Sequence, residues 1–120
     1  MNVIREVKSD RVGDRYYEVK HPSGLRIFVY PKEQNNSTYA VFGTRYGSVD
    51  TTFKRSDEAE ACTVPAGIAH YLEHKLFESE DGDAFARYAK TGANANAYTS
   101  FDVTCYLFSC TENVYESLEI

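Results

Sequence analysis

The sequence has no tryptophan, few cysteines and no excess of positive charge. The formal net charge of −5 argues against a nucleic-acid partner, because phosphates are bound by clustered lysine and arginine. No apolar run is long enough for a signal peptide or a membrane span, so we expect a cytoplasmic protein without a membrane partner. The three cysteines lack C-x-x-C spacing, which favours reduced thiols over disulfides or a thiolate zinc site.

The material that is present suits one modest domain. The 120 residues are 42% hydrophobic, an ordinary value for a globular chain with its own core. Ten tyrosines and seven phenylalanines supply large side chains for a core that contains a sheet. The order of predicted elements indicates an α+β fold, a largely antiparallel sheet with helices packed on one face.

Several segments alternate large or β-branched residues with polar ones. Residues 16–20 and 25–30 do so on either side of His21-Pro22-Ser23-Gly24, which predicts a β-hairpin. Residues 38–46 predict a strand whose Gly43 and Gly47 permit either close approach of a neighbouring element or a bulge.

Two further strands are predicted near the end of the chain. Residues 103–110 have the alternation of a well-packed strand. Residues 93–100 are small and polar, a composition found at a sheet edge or beside a ligand.

A helix is predicted from the segment after Thr63 to about Glu78. Thr63 suits the N-cap and Pro65 suits the first turn, where its missing N–H costs nothing. At about 100° per residue, the helix carries two stripes, for which we expect burial. One is polar, with His70, Glu73, His74 and Phe77, and the other is apolar, with Pro65, Ile68, Ala69, Leu72 and Leu76.

The polar stripe has the spacing of a metal site. His70 and His74 lie one turn apart with Glu73 beside them, and burying all three is unfavourable unless each finds a partner. A divalent cation is such a partner, since Zn²⁺ binds neutral ring nitrogens. A carboxylate beside the ion can take a proton from a metal-bound water. The order H-x-x-E-H matches the inverted zinc motif. The alternative is a chance histidine pair on an amphipathic helix.

Two shorter helices are predicted after the motif. Asp83 can cap a helix that runs through Lys90 and ends at Gly92, where a left-handed residue is favoured. A last helix is predicted to open with a capping box formed by Asn113 and Glu116. Its apolar residues, Val114 and Leu118, are expected to point inward. This helix has hardly completed two turns at Ile120, so we expect residues 1–120 to be the N-terminal part of a longer catalytic domain, cut within a helix.

With these motifs the chain resembles the pitrilysin/insulinase family of zinc metallopeptidases, which includes mitochondrial processing peptidases. Two segments carry the resemblance, Gly-Ile-Ala-His-Tyr-Leu-Glu-His-Lys-Leu-Phe at residues 67–77 and Thr-Gly-Ala-Asn-Ala-Asn-Ala-Tyr-Thr-Ser at residues 91–100. The resemblance implies that His70 and His74 bind Zn²⁺ and that Glu73 is the general base. It also implies an edge strand near the zinc, where a peptide substrate adds through main-chain hydrogen bonds to Asn96, Ala97 and Tyr98.

The resemblance further implies a third zinc ligand, a glutamate beyond position 120, and partners in the form of further homologous domains or a partner subunit. Possible substitutes within the chain are Glu78, Glu80, Asp81 or Cys62, although nothing in their spacing recommends them. We therefore expect zinc-dependent peptide hydrolysis, by an endopeptidase or oligopeptidase, from the parent protein and no activity from these residues alone.

Two other functions stay open. One is a non-catalytic subunit that binds a peptide or a partner through the edge strand, and the other is a globular domain without a site. Exposed sheet edges would also permit association between copies as a homo-oligomer.

Overall fold

A computed structural model describes residues 3–79 and 82–120 of the chain. It divides into two compact units, one up to Asn36 and one from Ser37 onward. Antiparallel strands occur in both units and helices pack on a sheet in the second, which confirms the predicted α+β class. Within the described residues, no helix has the length and apolar character needed to cross a membrane.

The first unit is a three-stranded antiparallel sheet. It contains β1 (Val3–Ser9), β2 (Asp14–Lys20) and β3 (Arg26–Val29) in the spatial order β1-β2-β3. The turn between β2 and β3 is closed by a hydrogen bond from the Gly24 N–H to the His21 carbonyl at 2.9 Å. The predicted hairpin is therefore confirmed.

The second unit holds the helices and a second three-stranded sheet. Its elements are β4 (Thr38–Thr44), β5 (Thr52–Phe53), β6 (Cys62–Thr63), α1 (Ile68–Phe77), β7 (Glu78–Ser79), β8 (Gly82–Asp83), α2 (Ala84–Thr91), β9 (Asn94–Thr99), β10 (Thr104–Cys110) and α3 (Val114–Leu118). The sheet order is β4-β10-β9, while β5 pairs with β6 and β7 with β8. The small, polar strand predicted for an edge is therefore an edge strand of this sheet.

Helices α1 and α2 pack on one face of the β4-β10-β9 sheet. The ring of Phe77 in α1 lies 6.0 Å from that of Tyr106, and the ring of Tyr88 in α2 lies 5.7 Å from that of Phe108. Tyr106 and Phe108 are two residues apart in β10, so their side chains point to the same face. This confirms the predicted packing of helices on one face.

The start of α1 differs from the prediction. The helix begins at Ile68 after Gly67, whose φ of 90° is left-handed, and no side chain caps it. Thr63 lies in β6, where its hydroxyl contacts that of Thr52 at 3.1 Å. The prediction of Thr63 as the cap is therefore wrong, because this threonine is used in a short ladder. The helix ends at Phe77, close to the predicted end near Glu78.

The buried side of α1 lies between the two predicted stripes. Ala69 and Glu73 are 4% and 8% exposed, and Phe77 is half-buried, so the line that meets the sheet has a spacing of four residues. Leu72 and Leu76 are 43% and 65% exposed. The expectation that both stripes are buried is wrong, because the sheet contacts a narrow line shared by the two.

Helix α2 has the predicted ends. The Asp83 carboxylate accepts a hydrogen bond from the Phe85 N–H at 2.9 Å, and Gly92 ends the helix with φ 78°. Both signals act within one turn of the helix, where local sequence decides the geometry.

Helix α3 forms without the predicted capping box. Asn113 has φ 55° and makes no capping bond, since its side chain donates to the Thr91 carbonyl at 3.0 Å. Ser117 is fully buried and donates to the Thr91 hydroxyl at 2.9 Å, whereas Leu118 is 59% exposed. The inward position predicted for Leu118 is wrong, because α3 is attached to the end of α2 through polar groups.

Gly47 makes the close approach that was predicted for it. A Cβ atom there would lie 2.3 Å from the Phe101 carbonyl oxygen, which belongs to the turn between β9 and β10. At Gly43 the same atom would meet the Cys105 sulfur at 3.5 Å, an ordinary contact. Of these two positions, Gly47 is therefore the one at which a Cβ atom has no room.

Candidate active site

The two histidine rings of α1 face each other. The Nε2 atoms of His70 and His74 are 3.0 Å apart, the ring centroids are 4.8 Å apart, and both side chains are exposed. This arrangement follows from their spacing of one helical turn. At this distance one ring can donate a hydrogen bond to the other when no cation lies between them.

Glu73 lies beside the pair and is anchored from across the site. One of its ligand atoms and one from each histidine all lie within 4.8 Å of one another. Its Oε2 accepts a hydrogen bond from the Thr99 hydroxyl at 2.6 Å. In the described part of the chain, Oε1 has no hydrogen-bond partner and no fully buried side-chain oxygen is left unpartnered, so Oε1 is not completely buried.

The donor set fits a zinc ion. Two nitrogens bound tetrahedrally to Zn²⁺ at about 2.0–2.1 Å lie about 3.4 Å apart, and the observed 3.0 Å is close to that value. Neutral imidazoles also suit zinc better than they suit magnesium or calcium. His70 and His74 are the residues that would hold the ion.

No further ligand joins this group within residues 3–79 and 82–120. Glu78 accepts a hydrogen bond from Lys75 at 2.7 Å, which lowers the pKa of Glu78. Cys62 lies in β6, outside the cluster. The other two substitutes considered, Glu80 and Asp81, lie outside the described residues.

The proposed peptide-binding residues lie on β9, which pairs with β10 along one side. A hydrogen bond from the Ser100 N–H to the Val103 carbonyl at 2.8 Å closes the β9–β10 turn. Backbone pairing alternates along an antiparallel ladder, so the N–H of Ala97 points away from β10. The Asn96 side chain accepts a hydrogen bond from this N–H at 2.8 Å.

Side chains alternate across β9. Ala97 and Thr99 face the helices, as the Thr99 contact with Glu73 shows, and Asn96 and Tyr98 face the opposite side. The structure thus brings Thr99 to Glu73 in the histidine cluster and places the Ala97 side chain on the same face of β9. The neighbouring Cys105 thiol, across the ladder on the face without helices, raises the pKa of Tyr98.

Thr99 is the residue that sequence reasoning missed. It lies 26 residues from Glu73, so no local pattern reports the contact. The available signal was strand parity, because Thr99 is two residues after Ala97 and shares its face. Tyr106 lies on the same face, where burial raises its pKa and the negative charge of Glu73 adds to the rise.

Comparison with known proteins adds a family to this geometry. The model of the insulinase family, peptidase family M16, matches residues 60–120, just over half of the chain. An uncharacterized zinc protease of Bacillus subtilis, YmfH, is 49% identical over 117 residues, covering 98% of this chain and 27% of that protein. Core protein I of the mitochondrial ubiquinol-cytochrome-c reductase complex of Euglena gracilis is 31% identical over 104 residues, covering 82% of this chain and 19% of that protein.

A solved structure shows the same fold. The crystal structure of a protein described as an M16-like peptidase, from Alicyclobacillus acidocaldarius, superposes with a TM-score of 0.79 at 42% identity. The match covers 86% of this chain and 24% of that one. The chain therefore spans between 19% and 27% of the length of these relatives. On the family match and the shared fold, the chain belongs to the insulinase family of peptidases, family M16.

Proposed function

We propose that the full-length protein carrying this chain is a zinc-dependent endopeptidase or oligopeptidase, and that the helix α1 supplies part of its active site. The observation that carries this proposal is the cluster of His70, Glu73 and His74, with two Nε2 atoms 3.0 Å apart and a carboxylate anchored beside them. Zinc proteases among the relatives support the same chemistry for this chain.

Each residue of the cluster has a separate role. His70 and His74 would hold the ion, and their exposure leaves room for a substrate. When bound, Zn²⁺ lowers the pKa of a coordinated water and polarises the scissile carbonyl. Glu73 accepts a proton from the attacking water and donates it to the leaving amine. A third ligand would come from outside the cluster of His70, Glu73 and His74.

The peptide substrate adds to the free side of β9 as a further strand. The backbone groups of Ala97 point outward there, and a peptide can pair with them without contacting specific side chains. Asn96 and Tyr98 flank this position on the opposite face, where they contact the substrate from one side. Such binding reads the backbone, so sequence preference comes from pockets elsewhere.

The decisive experiment replaces the base in the full-length protein. Glu73→Gln is expected to lower kcat by about 10²–10⁴-fold, because a general base contributes that much, while zinc content by metal analysis stays at the wild-type level. Glu78→Gln is the matched control, since Glu78 is bonded to Lys75 and lies outside the cluster. Turnover at the wild-type rate in Glu73→Gln would contradict the assigned role.

A second function, binding of a peptide or partner without catalysis, is supported by the free side of β9 alone. Metal analysis of the full-length protein under zinc-replete conditions separates the two functions. One zinc per chain supports the peptidase, and the lack of stoichiometric zinc supports the binding subunit. The 120 residues by themselves are expected to show no peptidase activity, because a catalytic zinc takes three protein ligands.

A further inference from the structure

The contact between Thr99 and Glu73 joins the two segments that carry the site. The hydroxyl of Thr99, at the end of β9, lies 2.6 Å from Oε2 of Glu73 in α1. This distance falls in the range of about 2.5–2.7 Å that is typical of a hydroxyl donating to a charged carboxylate. Such bonds are stronger than those between neutral groups.

The bond also restricts the Glu73 side chain, which α1 alone does not hold in one rotamer. A glutamate side chain has several rotatable bonds, and holding it in one rotamer costs conformational entropy. Glu73 is 8% exposed, and within the described residues its carboxylate has the Thr99 hydroxyl as its hydrogen-bond partner. The position of this carboxylate therefore depends on a side chain from the neighbouring strand.

The two carboxylate oxygens consequently differ. Oε2 is occupied by the hydroxyl, and Oε1 is the oxygen left to exchange a proton. Thr99 also follows Ala97 by two residues on the same strand and the same face. The strand that offers its backbone to a peptide is thus the strand that fixes the carboxylate.

We propose that Thr99 is a positioning residue for the general base, and that it holds Glu73 in the rotamer used for proton transfer. This role rests on the proposed peptidase function. Among the described residues, the hydrogen bond of the Thr99 hydroxyl is to Glu73, so this hydroxyl acts through the carboxylate.

The first test compares Thr99→Val, which keeps the shape and removes the hydroxyl, with Thr99→Ser, which keeps the hydroxyl. In the full-length zinc-loaded protein, Thr99→Val is expected to lower kcat by about 10–100-fold, the value of a hydrogen bond to a charged group. KM and zinc content are expected to stay unchanged. Thr99→Ser is expected to keep kcat within about threefold of the wild type. If Thr99→Val does not fold, Thr99→Ala removes the same hydroxyl without the branched side chain.

The second test needs no activity. In crystals of the zinc-free full-length protein, Glu73 is expected to occupy one rotamer in the wild type and in Thr99→Ser, and several in Thr99→Val. A Thr99→Val variant with wild-type kcat or with a single unchanged Glu73 rotamer overturns the role of Thr99 and leaves the proposed function standing. An inactive wild-type protein that carries zinc overturns the proposed function itself, and the role of Thr99 with it.

Discussion

The two edge strands of the β4-β10-β9 sheet have the same central neighbour and opposite characters. On β9, every second residue points its backbone N–H and C=O away from β10, because pairing alternates along the ladder. These residues have small side chains that lie on the helix face: Ala95, Ala97 and Thr99. On β4, the residues whose backbone N–H and C=O point away from β10 have their side chains on the face without helices: Tyr39, Val41 and Gly43. Tyr39 and Val41 are 65% and 51% exposed.

This difference predicts which edge of the sheet another backbone can approach. Tyr39 and Val41 place large, exposed apolar side chains next to the outward backbone groups of β4, and exposed apolar edges promote aggregation. The small side chains of β9 allow another backbone to approach, and α1 places its histidines and carboxylate beside that same edge. Recognition of a peptide is therefore expected at β9 and not at β4.

The largest effect on stability is expected at Gly47, which follows β4 and contacts the β9–β10 turn. In Gly47→Ala the new Cβ would collide with the Phe101 carbonyl, so we expect a loss of about 1–3 kcal/mol in the free energy of unfolding. Gly43→Ala is the control, since its Cβ makes an ordinary contact with Cys105 and is expected to cost less. Urea unfolding of the two variants measures the difference. Equal stabilities would show that the close approach is not a constraint.

A proline on each edge tests the comparison directly. Ala97→Pro removes an N–H that points away from β10, so the ladder stays intact while a peptide loses a donor. We expect KM to rise about tenfold, and Val41→Pro on the other edge to leave KM unchanged. The unfolding midpoint of both variants is recorded as well, so that a fall in stability is not mistaken for a loss of binding. A larger rise in KM for Val41→Pro than for Ala97→Pro would place the peptide on β4.

The smallest effect is expected at Asn96, whose side chain occupies the outward N–H of Ala97. A peptide has to displace this bond, so Asn96→Ala is expected to lower KM by about two- to fivefold, the scale of one exposed hydrogen bond. Asn94→Ala, an exposed residue on the same face of β9, serves as the control and is expected to leave KM unchanged. A higher KM in Asn96→Ala would mean that the amide contacts the peptide directly.

The features that could be predicted from the sequence are local ones. The spacing of His70 and His74, the cap at Asp83 and the left-handed Gly92 each depend on residues within one or two turns. The hairpin of the first unit likewise follows from its turn residues.

The features that could not be predicted depend on which face meets the sheet. A helical pattern says that Leu72 and Leu76 share a stripe, but the sheet instead contacts the line through Ala69 and Glu73. Thr63 is a good cap in isolation and is drawn into a ladder with Thr52. The bond from Thr99 to Glu73 arises from packing between elements far apart in the chain, which no periodicity encodes.

Because β10 is the central strand, modification of its cysteines reports when the sheet opens. Cys105 and Cys110 are 7% and 5% exposed on a strand that is paired on both sides, whereas Cys62 is partly exposed in a two-residue ladder. A thiol reagent therefore modifies Cys62 in the folded protein and reaches the other two when β10 separates from its neighbours. The order of labelling, followed by mass spectrometry, times the loss of the sheet independently of any catalytic assay.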